Sequence, residues 1–280
     1  MRLRNQKKRL TIKRFIYIFV VSLFFIFNGT IGYSAGHTET SNTETKHAEP
    51  AKLPFAVGEE IAYTVSWEMI PAGKVWCRVL DYTAIDGQKA WHFVMEARSK
   101  RFIDFFYKIR DRYESYTNEA FTRSFLYKRT QTGKADKQVV VEFDWEKKMA
   151  TYSNFGGKRA PIAIPENALD PLSSYYKLRT LNLKEKDVKN GEALSFSVTD
   201  GKKSFVQKGE IIKREKLVLS SGTYDTYLVI PQVTHFSGVF KKSDNPTVMV
   251  WISADERQVP VRIKVKVSIG SIIFDLVSIR

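Results

Sequence analysis

Strict alternation of apolar and polar residues constrains this chain more than any other feature. Over 261–269 every second residue is Val or Ile, and the residues between them are Arg, Lys or Ser. The same period of two recurs over 61–67, 91–95 and 139–145. This period is typical of strands with one buried and one wet face, as antiparallel sheets have. The sequence therefore predicts a mostly β, antiparallel fold of about a dozen strands.

Dipeptides that favour tight turns lie between the predicted strands. They are Asp86-Gly87, Asn190-Gly191, Asp200-Gly201 and Ser221-Gly222. Asn-Gly and Asp-Gly supply the positive φ angles that tight hairpins need. Other strands are apolar on both faces, namely 75–80, 224–230, 248–252 and 272–277. Such strands either lie at the centre of a sandwich or line an apolar cavity. We therefore expect a strongly curved sheet that forms an open or closed barrel-like structure, or a sandwich.

One short helix is predicted near residues 170–180. Asp170 can cap its start, and Pro171 fits the first helical position, where a missing N–H costs nothing. Apolar and aromatic side chains then recur at helical spacing as far as Arg179. A second short helical piece over 101–107 competes there with the start of a strand.

The N-terminal 35 residues predict export. Residues 1–14 hold seven basic residues and no acid, 15–27 are apolar apart from Ser22, and small residues follow at 34–36. This is the pattern of a Sec-type signal peptide, and the apolar run is shorter than the ~20 residues of a membrane-spanning helix. We expect a periplasmic or otherwise exported protein with no integral membrane span after signal removal. An uncleaved anchor is the alternative.

Beyond the signal peptide, the chain divides into a spacer and one domain. Residues 36–53 are polar and lack aromatic side chains, which predicts a disordered spacer, and 54–280 are expected to form a single β domain. Removal of the seven basic residues of the signal lowers the formal charge from +15 to about +8. Such a surface suits anionic lipid headgroups or acidic glycans. No nucleic-acid partner is expected, because no basic cluster coincides with a binding motif.

The sequence carries no catalytic motif. Gly-rich phosphate loops and the Gly-x-Ser-x-Gly elbow are absent, and His92 and His235 fall on separate predicted strands. We therefore expect no catalytic residue, no metal and no cofactor. The one cysteine, Cys77, is predicted to be a small buried hydrophobe.

Two charged residues stand out as candidates for a binding site. The strand period places Asp111 on the same face as Tyr113, and Arg179 follows apolar positions on the predicted helix. An acid on an apolar face needs a partner or a pKa shift. We expect Asp111 and Arg179 to belong to one polar cluster, as an internal ion pair or as a ligand contact.

Three aromatic residues complete the candidate ligand site, namely Tyr113, Tyr176 and Trp67. Tryptophan serves in both sugar and lipid-headgroup sites, although aromatic residues at alternating positions are more often core. Glu59 and Glu60, which open the first strand, are expected to be solvated.

Five separated segments resemble the bacterial exported family called domain of unknown function 3108. They are Phe55-x-x-Gly58-Glu59-x-Ile61-x-Tyr63-x-Val65-x-Trp67, Ala72-Gly73, Phe106-Tyr107-Lys108-x-x-Asp111-x-Tyr113-x-Ser115, Leu169-Asp170-Pro171-Leu172-Ser173-Ser174-x-Tyr176-x-Leu178-Arg179 and Val250-Trp251-Ile252-Ser253-x-Asp255-x-x-x-x-Pro260-Val261. The resemblance covers roughly residues 55 to 280. It implies a secreted or periplasmic, mostly β protein, and it supplies no catalytic residue.

Three functions are compatible with these features. The leading hypothesis is a non-catalytic envelope protein that binds an amphiphilic, lipid-like ligand or a glycan on a curved sheet. The second is a structural or assembly factor that contacts other envelope proteins. The third is a hydrolase that uses carboxylates near Asp111, because a carboxylate pair has no sequence signature.

Overall fold

The computed structural model describes residues 53–105, 108–133, 136–185, 193–232, 247–267 and 270–280. The predicted signal peptide, nearly all of the predicted spacer, the Asn190-Gly191 turn and His235 lie outside these residues. Nearly all described secondary structure is extended, as the alternation predicts. The strands are β1 (Glu60–Trp67), β2 (Ile70–Ile85), β3 (Gln88–Ser99), β4 (Arg110–Asn118), β5 (Ser124–Thr132), β6 (Lys137–Asp144), β7 (Met149–Asn154), β8 (Gly157–Lys158), β9 (Ile162–Ala163), β10 (Ala168–Leu169), β11 (Ala193–Thr199), β12 (Ser204–Leu219), β13 (Gly222–Gln232), β14 (Thr247–Ser253), β15 (Pro260–Val267) and β16 (Gly270–Ile279).

All sixteen strands belong to one sheet. Its order is β10-β11-β12-β13-β14-β15-β16-β1-β2-β3-β4-β5-β6-β7-β8, and β9 pairs with β7. The expectation of a purely antiparallel sheet is wrong, because β10 and β11 pair in parallel. The strand count exceeds the predicted dozen because β8, β9 and β10 have only two residues each, too few for a periodic signal.

The sheet is strongly curved but not closed by strand pairing within the described ranges. The turn between β11 and β12 packs against β6 and β7, although β12 and β6 lie ten positions apart in the sheet order. A flat sheet would separate them by about 48 Å, at about 4.8 Å per strand. A Cβ on Gly201, whose φ is +76°, would lie 2.7 Å from a methyl carbon of Val141. The β11–β12 turn therefore packs closely against β6 and β7 at Gly201, which brings the two ends of the sheet together.

Two helices accompany the sheet in the described residues, α1 (Arg101–Asp104) and α2 (Pro171–Arg179). A 3-10 turn follows α2 at Leu183–Glu185. The predicted start of α2 is confirmed, because the Asp170 carboxylate accepts from the backbone N–H groups of Leu172 and Ser173 at 2.8 and 3.0 Å. Neither helix is long and apolar enough to cross a membrane.

Helix α2 is almost entirely buried and packs on the inner face of the sheet. The Tyr176 ring stacks on Phe93 of β3 with ring centroids 4.1 Å apart, and Phe55 meets Tyr176 edge-on at 5.3 Å. Both rings belong to one apolar cluster that includes inward-facing residues of most long strands. Cys77 is buried in the same cluster, as predicted. The alternation thus gives the sheet an apolar concave face, and α2 covers part of it.

Candidate functional site

A polar cluster interrupts the apolar concave face near one end of the sheet. Asp111 on β4 is 6% exposed, and its Oδ2 accepts from Gln131 Nε2 at 2.5 Å and from the Tyr113 hydroxyl at 3.1 Å. Gln131 stands opposite Asp111 in the register, and the next residue in the same cross-strand row is Lys137 on β6. The strand period therefore turns all of these side chains to the same face.

Basic side chains outnumber the acid in this region. Arg129 stands opposite Tyr113 in the register, donates to Gln131 Oε1 and lies over the Tyr113 ring. We call Asp111, Tyr113, Arg129, Gln131 and Lys137 the Asp111 cluster. The β11–β12 turn adds a cation, Lys202, whose Nζ is 4.1 Å from the centroid of the Tyr152 ring. It also carries an acid, Asp200, whose Oδ1 accepts from the backbone N–H groups of Lys202 and Lys203.

The electrostatics of the Asp111 cluster favour the binding of an anion. Burial raises the pKa of Asp111, against the hydrogen bonds from Gln131 and Tyr113 that lower it. Burial, together with the charges of Arg129 and Lys202, lowers the pKa of Lys137 to about 8. The single carboxylate and the lysine are both pushed toward their neutral forms, and an added anion would restore the charge of Lys137.

A second cluster forms around Arg179 at the C-terminal end of α2. The guanidinium is fully buried and donates two hydrogen bonds to the Glu59 carboxylate, from Nη1 to Oε1 at 2.5 Å and from Nη2 to Oε2 at 2.9 Å. Nη2 also donates to Pro54 O at 2.6 Å, and Nε donates to Arg257 O at 3.1 Å. Tyr176 contributes its ring, 5.9 Å from the guanidinium carbon. We call Arg179, Glu59 and Tyr176 the Arg179 cluster.

The charge of Arg179 is balanced by the carboxylate of Glu59. Burial alone would lower the pKa of Arg179, but the hydrogen bond and charge of Glu59 raise it above its ordinary value. The expectation that Glu59 is solvated is wrong, since its side chain is 11% exposed and paired. Bidentate pairing with additional carbonyl acceptors is the arrangement that makes a buried arginine tolerable. This cluster ties α2 to the segment that precedes β1.

The expected Asp111–Arg179 pair is wrong: each charge is bound to other partners. In the register, Asp111 of β4 pairs with Ala97 of β3, which in turn pairs with Val75 of β2. Glu59, the partner of Arg179, instead accepts a backbone hydrogen bond from Val79 of β2. Four residues of β2 separate the two rows, or about 13 Å along the strand. The structure therefore brings Asp111 together with Tyr113 and Arg179 together with Tyr176, in two separate clusters.

Trp67, the fifth predicted site residue, lies apart from both pairs. It occupies the end of β1, half-buried, and a Cβ on Gly270 would stand 3.0 Å from its indole Nε1. It lies four residues beyond Tyr63, which belongs to the cross-strand row of Asp111. Trp67 is thus at the same end of the sheet as the Asp111 cluster, at the tip of a hairpin.

Sequence reasoning missed three basic residues of this region. Arg129 and Gln131 follow the buried Tyr127 at a period of two, and Lys137 precedes the buried Val139 at the same period. The alternation in the sequence therefore indicates that these side chains face inward. Lys202 carried no such signal, because only the curl of the sheet brings the β11–β12 turn to β7. Within the described ranges, no three His, Cys, Asp or Glu side chains are grouped as metal ligands.

The fold and its polar clusters define a class of mostly β proteins built on one open, barrel-like sheet. A family model for proteins of unknown function, DUF3108, matches residues 62–277. The chain belongs to this family, which confirms the resemblance of the sequence segments. Membership of this family, which is described as one of unknown function, does not assign an activity to the chain.

Comparison with one solved structure supports the fold. A β-barrel-like protein of the domain of unknown function DUF1849 from Brucella abortus superposes with a TM-score of 0.51 at 6% identity, covering 80% of this chain and 97% of that one. A protein of Bacteroides fragilis described as exported, with a YmcC-like fold, gives a TM-score of 0.35 at 8% identity over 81% and 98%. A Parabacteroides distasonis protein described as a lipoprotein gives 0.29 at 11% over 80% and 96%. Among curated proteins, none matches this chain.

Proposed function

We propose that this protein is an exported, non-catalytic binder of an amphiphilic ligand, whose anionic group binds at the Asp111 cluster. The observation that carries the proposal is the grouping of Arg129, Lys137 and Lys202 on the concave face, with two cations and one carboxyl group acting on Lys137. The charges acting on Lys137 are those of Arg129 and Lys202, opposed by that of Asp111 alone. A phosphate or carboxylate placed among them would relieve like-charge repulsion and accept charge-assisted hydrogen bonds.

The surroundings of the cluster favour an amphiphile over a purely polar ligand such as a glycan. Ala97 is the register neighbour of Asp111 on β3, and Val139 is the neighbour of Arg129 on β6. Both are buried in the apolar cluster. A ligand with its anionic group at Lys137 would therefore meet apolar side chains along the same face. The preference for an anion also agrees with the basic composition of the chain.

Decyl phosphate below its micelle concentration is the probe that tests this proposal, with calorimetric titration as the measurement. We expect decyl phosphate to bind more tightly than decyl maltoside, which has the same chain and no charge. Replacing Lys137 with Met and Lys202 with Gln should weaken binding about tenfold or more, the equivalent of about 1.4 kcal/mol.

The matched control is Lys128→Gln, which removes a lysine from the same region on the opposite face. Lys128 lies one residue from Arg129, is exposed and stands over the outward-facing Tyr116 ring at 5.5 Å. Its replacement should leave decyl phosphate binding unchanged. Equal affinity for the maltoside, or equal losses in control and test variants, would contradict the proposal. Native mass spectrometry of protein from its own host would then identify the ligand that co-purifies.

A further inference from the structure

Four large apolar side chains are exposed at the end of the sheet that holds Trp67. Met69 is 92% exposed and Ile70 47% exposed, at the turn between β1 and β2. Phe102 is 50% exposed on α1, and Phe105, directly after α1, is 86% exposed. We call these four residues the rim patch. Single exposed apolar residues are common on proteins, whereas grouped ones mark an interaction surface.

The two halves of the rim patch lie side by side. The backbone N–H of Lys100, which caps α1, donates to Ala72 O at 2.9 Å, and Gly73 pairs with Ser99. Helix α1 therefore begins beside the first residues of β2, within a few residues of Met69. Ser99 and Ile109 are also joined by a backbone bond of 3.2 Å, which holds the two ends of the α1 connection together.

Basic residues flank the rim patch. Lys100, Arg101 and Lys108 are all exposed; Lys100 and Arg101 immediately precede Phe102, and Lys108 lies three residues after Phe105. The one acid of α1, Asp104, is already engaged, because Arg110 Nη2 donates to its Oδ2 at 2.6 Å. The net charge around the patch is therefore positive.

We propose that the rim patch inserts into the surface of an anionic lipid bilayer. Exposed aromatic and aliphatic side chains at a turn and a short helix enter the headgroup boundary, while neighbouring lysine and arginine side chains bind acidic headgroups. Glu68, which precedes Met69, is exposed and accepts from the backbone N–H of Ser271, so the border contains an acid beside its basic residues. The exposed lysine and arginine side chains still exceed the acids, and this charge is complementary to an anionic membrane. This surface lies outside the proposed ligand site and does not depend on it.

A fluorophore attached to single positions of the full chain tests insertion directly. NBD coupled to Met69→Cys would report on the rim patch, and NBD coupled to Val218→Cys would report on another exposed apolar position. Val218 is 73% exposed and precedes the β12–β13 turn at the other end of the sheet. The native Cys77 is buried and would not be labelled in the folded protein. The vesicles contain phosphatidylglycerol and phosphatidylethanolamine with brominated acyl chains, and phosphatidylcholine vesicles serve as the uncharged reference.

We expect quenching and a blue shift of the label at position 69 with the anionic vesicles, and neither effect at position 218. Raising the ionic strength from about 0.05 to about 0.5 M should weaken the effect, because salt screens the headgroup attraction. Combined Lys100→Gln and Arg101→Gln changes should lower partitioning about fivefold for each charge removed. Combined Phe102→Ser and Phe105→Ser changes should abolish the quenching, with an unchanged melting temperature as the test of folding.

Three outcomes would overturn the membrane proposal. Equal quenching at positions 69 and 218 would mean that another part of the chain holds the protein to the vesicle. Absence of quenching at position 69 would mean that the rim patch does not enter the bilayer and covers a protein partner instead. Equal binding to phosphatidylcholine vesicles would remove the role of charge. The Lys137→Met and Lys202→Gln variant should keep full quenching, which separates this test from that of the ligand site.

Discussion

The two polar clusters of this sheet contain similar residues but differ in how their charges are balanced. In the Arg179 cluster one cation meets one carboxylate, Glu59, in a bidentate pair, and backbone carbonyls accept two further bonds. In the Asp111 cluster Arg129 and Lys137 share one carboxyl group, and burial raises the pKa of that carboxyl. The first cluster has the chemistry of a structural ion pair, and the second is the cluster on which the proposed anion binding rests.

This difference should appear in how each cluster contributes to the free energy of unfolding. A buried charge with a full set of partners costs several kcal/mol when one partner is removed. A group whose pKa is shifted toward its neutral form destabilises the folded state in its charged form, and such groups concentrate at binding sites. Replacing residues of the two clusters should therefore change stability in opposite directions.

Arg179→Met should cause the largest loss of stability, about 3–5 kcal/mol, because Glu59 would be left charged and largely buried. Denaturant unfolding at pH 7 is the measurement. Adding Glu59→Gln to Arg179→Met should recover part of the loss, since the uncompensated charge is then gone. The control is Arg262→Met, whose pair with Asp275 is about one quarter exposed on both sides and should cost under about 1 kcal/mol. A loss below about 1 kcal/mol for Arg179→Met would contradict the structural role of the Arg179–Glu59 ion pair.

Lys137→Met should stabilise the protein at pH 7, by about 1 kcal/mol once solvent screening of this half-buried residue is allowed for. The folded-state pKa of Lys137 is lowered to about 8, below the ordinary value of about 10.4. The charged lysine therefore destabilises the folded wild type below pH 8, and this penalty fades as the pH rises toward the ordinary value. The gain from Lys137→Met should shrink accordingly between about pH 8 and 10. Unfolding curves across this range, with Lys128→Met as the control, measure the effect.

Asp111→Asn should change stability by less than about 1 kcal/mol at pH 7, because an amide oxygen can still accept from Gln131 and Tyr113. The pKa of Asp111 is raised in the folded protein, so ionisation costs the wild type stability as the pH rises above the ordinary value of about 3.9. The variant should therefore gain on the wild type as the pH rises above about 4. A difference that is flat with pH would mean that folding does not shift the pKa of Asp111, and one that moves toward the wild type would mean that Asp111 is stabilised as a carboxylate.

The sequence predicts the strands and the helix start because their signals are local. The period of two over 261–267 and the Asp170-Pro171 start of α2 are both confirmed. The Asp86-Gly87 turn is confirmed as well, with positive φ at both residues, 49° and 75°. The two-residue pair β10–β11 was missed, because a period cannot be detected in two residues.

The candidate site was harder to predict because its contacts are long-range. The strand period placed Asp111 and Tyr113 on one buried face, and the structure places both there. Glu59, however, lies 120 positions from Arg179 along the chain, and local spacing cannot assign such a partner. Asp111 and Arg179 are each a charge among apolar neighbours, a property that identifies buried charges but not the cluster to which each belongs.

The smallest expected effect is also the sharpest test of the division into two clusters. Asp111→Asn and Arg179→Met, combined in a double-mutant cycle, should be additive within about 0.5 kcal/mol, because distant residues without shared partners do not couple. A second cycle on Glu59→Gln and Arg179→Met serves as the positive comparison, since those residues are in direct contact and should couple by more than about 1 kcal/mol. Both cycles need urea unfolding at one pH, so that the titration of Asp111 does not enter the difference. Coupling between Asp111 and Arg179 as large as that between Glu59 and Arg179 would mean that the two clusters form one network. The proposed anion site could not then be separated from the Arg179–Glu59 ion pair.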